Sequence, residues 1–183
     1  MKKTIKEWWD GSSTYYQSTF NIPTDDIYYG PFCPSETELD LLDIKNIKSK
    51  NILELGCGGG QCSIFLSKKG AICSGIDIST KQIEYATELA RKECVKIDYV
   101  VGSGENLSYF KDCEFDIVLA VFSIQYIKNL GKCLEEVRRV LKKGGIFVFS
   151  LDHPFYSAVS PQTMKLESNY NRSGLRETVR PAI

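Results

Sequence analysis

NILELGCGGG, Asn51–Gly60, is the stretch that decides the fold. Ile52, Leu53 and Leu55 form a short apolar run closed off by polar residues and glycines. A run of that length and makeup reads as a buried parallel strand. It ends in Gly56, Gly58, Gly59 and Gly60, and a helical pattern follows at once over Gln61–Lys69. Strand, glycine turn and helix together let backbone approach a nucleotide-like ligand, because a Cβ at the turn would clash or forbid a positive φ. The spacing here is GxGxG. The dinucleotide fingerprint GxGxxG needs a third glycine where Gln61 stands, so a pyrophosphate-binding turn is disfavoured. A tight βα turn holding no ligand is the plainer alternative.

Outward from that stretch, strands and helices alternate. Strand two is read over Ala71–Ile76 and ends at Asp77, and Ser79 caps a helix over Thr80–Cys94. Strand three is placed at Lys96–Val101, strand four at Phe115–Val121, a helix at Leu130–Lys143 and strand five at Ile146–Leu151. Repeated βα units predict an α/β fold: a doubly wound, Rossmann-like, mostly parallel sheet. Before this core, Ile5, Trp8 and Trp9 share a helical face, weakened by Gly11, and Ser35 with Glu38 forms a capping box that predicts a helix over Ser35–Ile47. The expected organisation is an N-terminal helical cap over residues 1–48, an α/β core over 49–155 and a polar, aperiodic tail over 156–183.

The chain has 183 residues, enough for one domain with a sizeable core. Its 23 basic and 23 acidic residues balance, which argues against a broad nucleic-acid-binding surface. No segment reads as a transmembrane span and the N-terminus lacks an apolar signal core, so a cytoplasmic location without membrane attachment is expected. The seven cysteines form no CxxC, and the single His153 has no cysteine near it, so neither zinc nor a disulfide framework is expected.

Asp77 ends strand two just after the glycine turn. A carboxylate there can accept hydrogen bonds from both ribose hydroxyls of an adenosine ligand, or alternatively serve helix capping with Ser79. From Ile52 to about Phe155 the chain resembles the class I S-adenosylmethionine-dependent methyltransferases, of the small-molecule type. ILELGCGGG resembles motif I, and GIDIS (Gly75–Ser79) the segment with the ribose-binding acid. GSGENLSY (Gly102–Tyr109) is similar to the loop after strand three, FDIVLAVFSIQYI (Phe115–Ile127) to motif II and LKKGGIFVFS (Leu141–Ser150) to motif III. The pairs Trp9-Asp10 and Tyr16-Gln17 also resemble openings found in this class.

The resemblance implies S-adenosyl-L-methionine as cofactor and S-adenosyl-L-homocysteine as product. It implies that the Gly56-Cys57-Gly58 turn with Gly60 makes room for the methionine part, that Glu54 fixes the loop, that Asp77 holds the ribose and that Ile78 packs on the adenine. Gly104 and Glu105 would edge the adenine, and Val121 would face the methionine end. Ser103 stands where the family often has Asp, a weaker acceptor for the adenine amino group. His153, Tyr126 and Tyr16 are the candidates for a base or an acceptor contact. Val121-Phe122-Ser123 replaces the Pro-Pro-aromatic motif of amino methyltransferases that act on adenine, which leaves a small-molecule acceptor and no nucleic acid. The other readings are a catalytically incomplete cofactor-binding domain and a nicotinamide-dependent oxidoreductase.

The same resemblance implies seven strands ordered 3-2-1-4-5-7-6, yet only five can be read. A shortened member is expected, lacking the hairpin of strands six and seven. Strand five would then be an apolar edge that invites a homodimer.

Overall fold

The computed structural model describes residues 3–30 and 33–153. The expected tail, with Pro154 and Phe155, lies outside the described residues. The sheet consists of β1 (Asn51–Leu55), β2 (Ile72–Asp77), β3 (Asp98–Val101), β4 (Phe115–Val121) and β5 (Leu141–Ser150). Every neighbouring pair is parallel, and the order is β3-β2-β1-β4-β5. This is the doubly wound α/β sheet that the alternating pattern predicts, with five strands among the described residues.

The strands alternate their side chains between two apolar layers, as a period of two requires. Ile52, Ile117 and Leu119 face one layer with Phe65 and Leu66 of α3 (Gln61–Lys68), joined by Ile27, Tyr29 and Leu42. Leu53, Leu55, Val118 and Ala120 face the other, with Cys133, Val137 and Val140 of α5 (Leu130–Val140). The helix α4 (Thr80–Lys92) buries Ile83, Ala86 and Ala90. Ser79 caps it by accepting from the Gln82 backbone N–H at 3.1 Å.

The helix α1 (Ile5–Thr19) runs through Gly11 unbroken. Thr4 and Glu7 form a reciprocal capping box, with Thr4 N–H donating to Glu7 Oε2 at 2.8 Å. Burial of its inner face against α4 outweighs the roughly 1 kcal/mol that one helical glycine costs.

Two expectations are corrected. The helix over Ser35–Ile47 is a single turn, α2 (Glu36–Leu39), followed by left-handed Asp40 and Asp43 and a 3-10 turn at Ile44–Asn46. The cause is Glu36, whose buried carboxylate accepts from Tyr29 Oη at 2.7 Å and from the Leu42 N–H at 2.6 Å, pulling the chain back on itself. The helix over Leu130–Lys143 stops at Val140, because Leu141 already pairs with Phe115 in β5. The register then shifts: Ile117 pairs with Ile146, and Lys142–Gly145 bulge opposite Asp116, with Gly144 at φ +80°.

Candidate cofactor and acceptor site

β1 lies between β2 and β4, so the chain switches side of the sheet between β3 and β4. Ligands of open α/β sheets bind at such a switch, outside the carboxyl ends of the strands. The Gly56–Gly60 turn sits there. Its Gly56 and Cys57 N–H groups both donate to the Ile76 carbonyl, at 2.7 and 3.1 Å, which fastens the turn to β2. Asp77 completes the attachment: Oδ2 accepts from the Gly58 N–H at 2.9 Å and Oδ1 from the Ser79 N–H at 2.8 Å. Burial pushes the Asp77 carboxyl up, and those two N–H groups oppose the shift. Two bonds leave an ionised carboxylate with further lone pairs, so Asp77 can hold the turn and still accept from a pair of hydroxyls.

The turn glycines differ in what they make room for. A Cβ on Gly56 would meet Ser123, one on Gly59 would meet the amides of Gln17 and Gln61, and one on Gly60 would strike Tyr99. At Gly58, with φ +50°, a Cβ would meet nothing within 4 Å. Protein side chains therefore fill the space at three glycines, and Gly58 alone of the turn borders open space. An open backbone face beside Asp77 fits an adenosine ligand carrying an amino-acid chain. The Cys57 side chain is buried, and its Sγ lies 3.0 Å from where a Gly75 Cβ would stand.

Glu54 is buried below the turn and accepts from the Ser63 N–H at 2.8 Å. Gly60 has no side chain to cap α3, so Glu54 supplies that acceptor from β1. Burial raises its carboxyl to about 7, against the opposing Ser63 bonds. The Tyr99 hydroxyl, 3.1 Å from Ser63 Oγ, supports the same helix start.

An amide chain that the sequence reading missed closes over the turn. Gln61 Nε2 donates to Gln17 Oε1, and Gln17 Nε2 donates to Gln82 Oε1, each at 2.9 Å, with all three residues buried. Seven residues before Gln17, Asp10 accepts from Ser79 Oγ at 2.8 Å and from the Lys81 N–H at 3.2 Å. The i, i+7 spacing puts Asp10 and Gln17 on one face of α1, and that spacing was the available signal.

The remaining candidates are distributed around this centre. Ile78 and Ser103 are half-buried. The Ser103 hydroxyl accepts from the Glu105 N–H at 3.2 Å. Gly104 packs against Leu55 and Ile127. The Glu105 carboxylate accepts from the Lys128 and Asn129 N–H groups, both at 3.1 Å, which ties this loop to the one after β4. Val121 packs onto the core layer of α3. Phe122 is left-handed at φ +51°, and after it Ser123 Oγ donates to the Leu55 carbonyl at 2.6 Å, folding the next turn over Gly56.

On that 3-10 turn, Ile124–Tyr126, the Tyr126 ring meets Trp9 edge-on at 5.6 Å, and Trp9 meets Tyr16 at 5.5 Å. Burial raises both phenols, so they stay protonated near neutrality and serve as walls and donors. His153 is exposed, three residues past the end of β5. Arg139 is half-buried, unlike its exposed neighbour Arg138. It reaches Glu136, Asp112 and the Leu107 and Phe110 carbonyls. The nearby groove of about 420 Å³ is lined by Glu105, Glu136 and Arg139 among others, and of these Glu136 and Arg139 are already paired with each other.

The family described as "methyltransferase domain" matches residues 53–149, more than half of the chain. The chain is 33% identical over 158 residues to the ubiquinone biosynthesis O-methyltransferase of Pelagibacter ubique, covering 86% of this chain and 65% of that protein. It is 31% identical over 135 residues to norajmaline N-methyltransferase of Rauvolfia serpentina, covering 69% and 46%. A solved S-adenosylmethionine-dependent methyltransferase from Mesorhizobium loti superposes with a TM-score of 0.56 at 27% identity, over 62% of this chain and 51% of that one. The chain therefore spans about half to just under two thirds of the length of these relatives. With a glycine turn fastened to an acid at the switch of a parallel sheet, and with that match across the core, the chain belongs to the methyltransferase domain family.

Proposed function

We propose that this chain is an S-adenosylmethionine-dependent methyltransferase that acts on a small molecule. The carrying observation is Asp77, which bonds Gly58 and Ser79 beside the open face at Gly58. S-adenosyl-L-methionine supplies an activated methyl and leaves as S-adenosyl-L-homocysteine. The residues of the chain bind, orient and exclude water. Holding reactants in near-attack geometry supplies roughly 7–11 kcal/mol, and a base is needed only when the acceptor must first lose a proton.

In this reading Asp77 accepts from the ribose, the Gly58 backbone borders the amino-acid end, Ile78 packs on the adenine, and the Ser103–Glu105 loop edges it. Glu54, Gly56, Cys57 and Gly60 hold the turn in shape, and Val121 backs the methionine end. Tyr16 and Tyr126 line the acceptor side with Trp9, and His153 lies at its rim. The printed names of the two relatives, one an O- and one an N-methyltransferase, support a small-molecule acceptor and leave its atom open. A cytoplasmic location and a homodimer through the outer edge of β5 are part of the proposal. Exposed Ile146, Phe149 and Leu151 support the latter. Among the described residues, no helix is long and apolar enough to cross a membrane.

Calorimetry tests the reading. S-adenosyl-L-homocysteine should bind the wild type, and Asp77→Ala should weaken it by about 1–3 kcal/mol. NAD binding without S-adenosyl-L-homocysteine binding would overturn it. Cofactor binding without methyl transfer to any acceptor would leave a cofactor-binding domain.

A further inference from the structure

Gln125 sits on the 3-10 turn that Ser123 pins over Gly56. Its Nε2 and Oε1 are both sealed from solvent, and neither reaches a partner with hydrogen-bond geometry. Among the described residues no other buried side-chain polar atom is left in that state. Such atoms are rare in native folds, and each calls for an explanation. Cofactor-side amides are arranged differently: Gln17, Gln61 and Gln82 satisfy one another on the far side of the turn.

The surroundings are aromatic. The amide lies close enough to the Tyr126 phenol to favour its ionised form, though short of full hydrogen-bond geometry, and that ring packs on Trp9 and, through it, on Tyr16. Asp152 is the charged group felt at Tyr126. A carboxamide presents one donor side and one acceptor side in a plane. An anion there would meet an aromatic wall and the Asp152 charge, and an ammonium would leave Nε2 unmatched. A neutral planar molecule carrying an N–H or O–H next to a carbonyl-like acceptor matches both amide atoms at once and stacks against the rings.

We propose that Gln125 orients the methyl acceptor and selects for a neutral planar molecule with a donor and an acceptor on adjacent atoms. This rests on the methyltransferase reading above. It makes Gln125 a specificity residue that touches the acceptor and leaves the cofactor alone.

The test uses the ¹⁵N-labelled chain saturated with S-adenosyl-L-homocysteine, and 2-pyridone as probe, a planar lactam complementary to a carboxamide. N-methyl-2-pyridone, which lacks the donor, is the control. The Gln125 side-chain amide signals are identified by their loss in Gln125→Leu. Expected are a shift of those signals with 2-pyridone, little with the N-methyl control, and 2-pyridone affinity about tenfold lower in Gln125→Leu. S-adenosyl-L-homocysteine affinity should stay within about twofold and the Tm of that variant should fall little, because only a marginal contact with the Tyr126 phenol is lost. Should Gln125→Leu not fold, that structural demand itself overturns the proposal unless Gln125→Glu, which keeps shape but not the donor, folds and loses the probe. No probe-dependent shift, equal probe affinity in the variant, or a loss of cofactor affinity in it overturns the proposal too. A wild type that binds no S-adenosyl-L-homocysteine removes the methyltransferase reading instead, and the proposal falls with it.

Discussion

Asp10 on α1 accepts a hydrogen bond from Ser79 Oγ at 2.8 Å, while the Ser79 backbone N–H donates to Asp77 at 2.8 Å. The N-terminal helix is thereby linked to the candidate ribose-binding acid through one residue. Asp10→Ala removes the acceptor for Ser79, Lys81 and Lys6 together. It should cost about 1–3 kcal/mol in urea unfolding, and it should weaken S-adenosyl-L-homocysteine in calorimetry although Asp10 need not touch it. The Lys6 ammonium first, then the Ser79 and Lys81 donors, hold the Asp10 carboxyl at about 2 against burial. A lowered carboxyl contributes stability above its unfolded value of 3.8, lost as pH falls through about 2. The link should therefore survive mild acid. Loss of α1 protection in hydrogen exchange already at pH 5 would contradict this.

Glu54 runs the other way. Burial lifts it from 4.5 to about 7, so the folded chain holds this proton more tightly than the unfolded one. Its contribution is fullest below about 4.5 and declines as pH rises through about 7. Glu54→Gln keeps an acceptor for the Ser63 N–H and removes the titration. The wild-type Tm should fall between pH 5 and pH 8 relative to that variant, and parallel curves would refute the assignment.

Two single-methyl substitutions separate architecture from ligand. In Gly60→Ala the new Cβ strikes Tyr99 and lies 3.1 Å from the Ala86 Cβ, at φ +76°. The variant should lose several kcal/mol or fail to fold. Gly58→Ala meets nothing within 4 Å and bears only the left-handed backbone, about 1–2 kcal/mol. It should fold, with a modest Tm loss, and lose most of its S-adenosyl-L-homocysteine affinity. Full affinity in Gly58→Ala would place the ligand elsewhere.

Arg138 and Arg139 are adjacent in sequence and unlike in role. Arg139→Ala breaks charge-assisted bonds to Glu136 and Asp112 and strands two carbonyls, at an expected cost of about 1–3 kcal/mol. Arg138 is exposed, and Arg138→Ala should change stability by less than about 0.5 kcal/mol. Denaturant midpoints of the two variants decide.

Short apolar runs made β1 and β4 legible, because burial on both faces favours Ile, Leu and Val in near succession. Ser79 was legible as a cap for the local reason that its hydroxyl bonds three residues ahead. Glu36 was not, since a capping box looks the same whether the helix continues or a buried carboxylate reverses the chain toward Leu42. The reasons for Gly56 and Gly60 were equally hidden: Ser123 and Tyr99 lie 67 and 39 residues further on. Gln17, Gln61 and Gln82 lie far apart in sequence and only the fold brings their amides together, and Gln125 carried no local signal of its sealed amide.

The Ile76 carbonyl receives both Gly56 and Cys57, so the end of β2 and the loop after β1 form a single stiff unit before anything arrives. The ordering cost of that loop is met during folding rather than at capture.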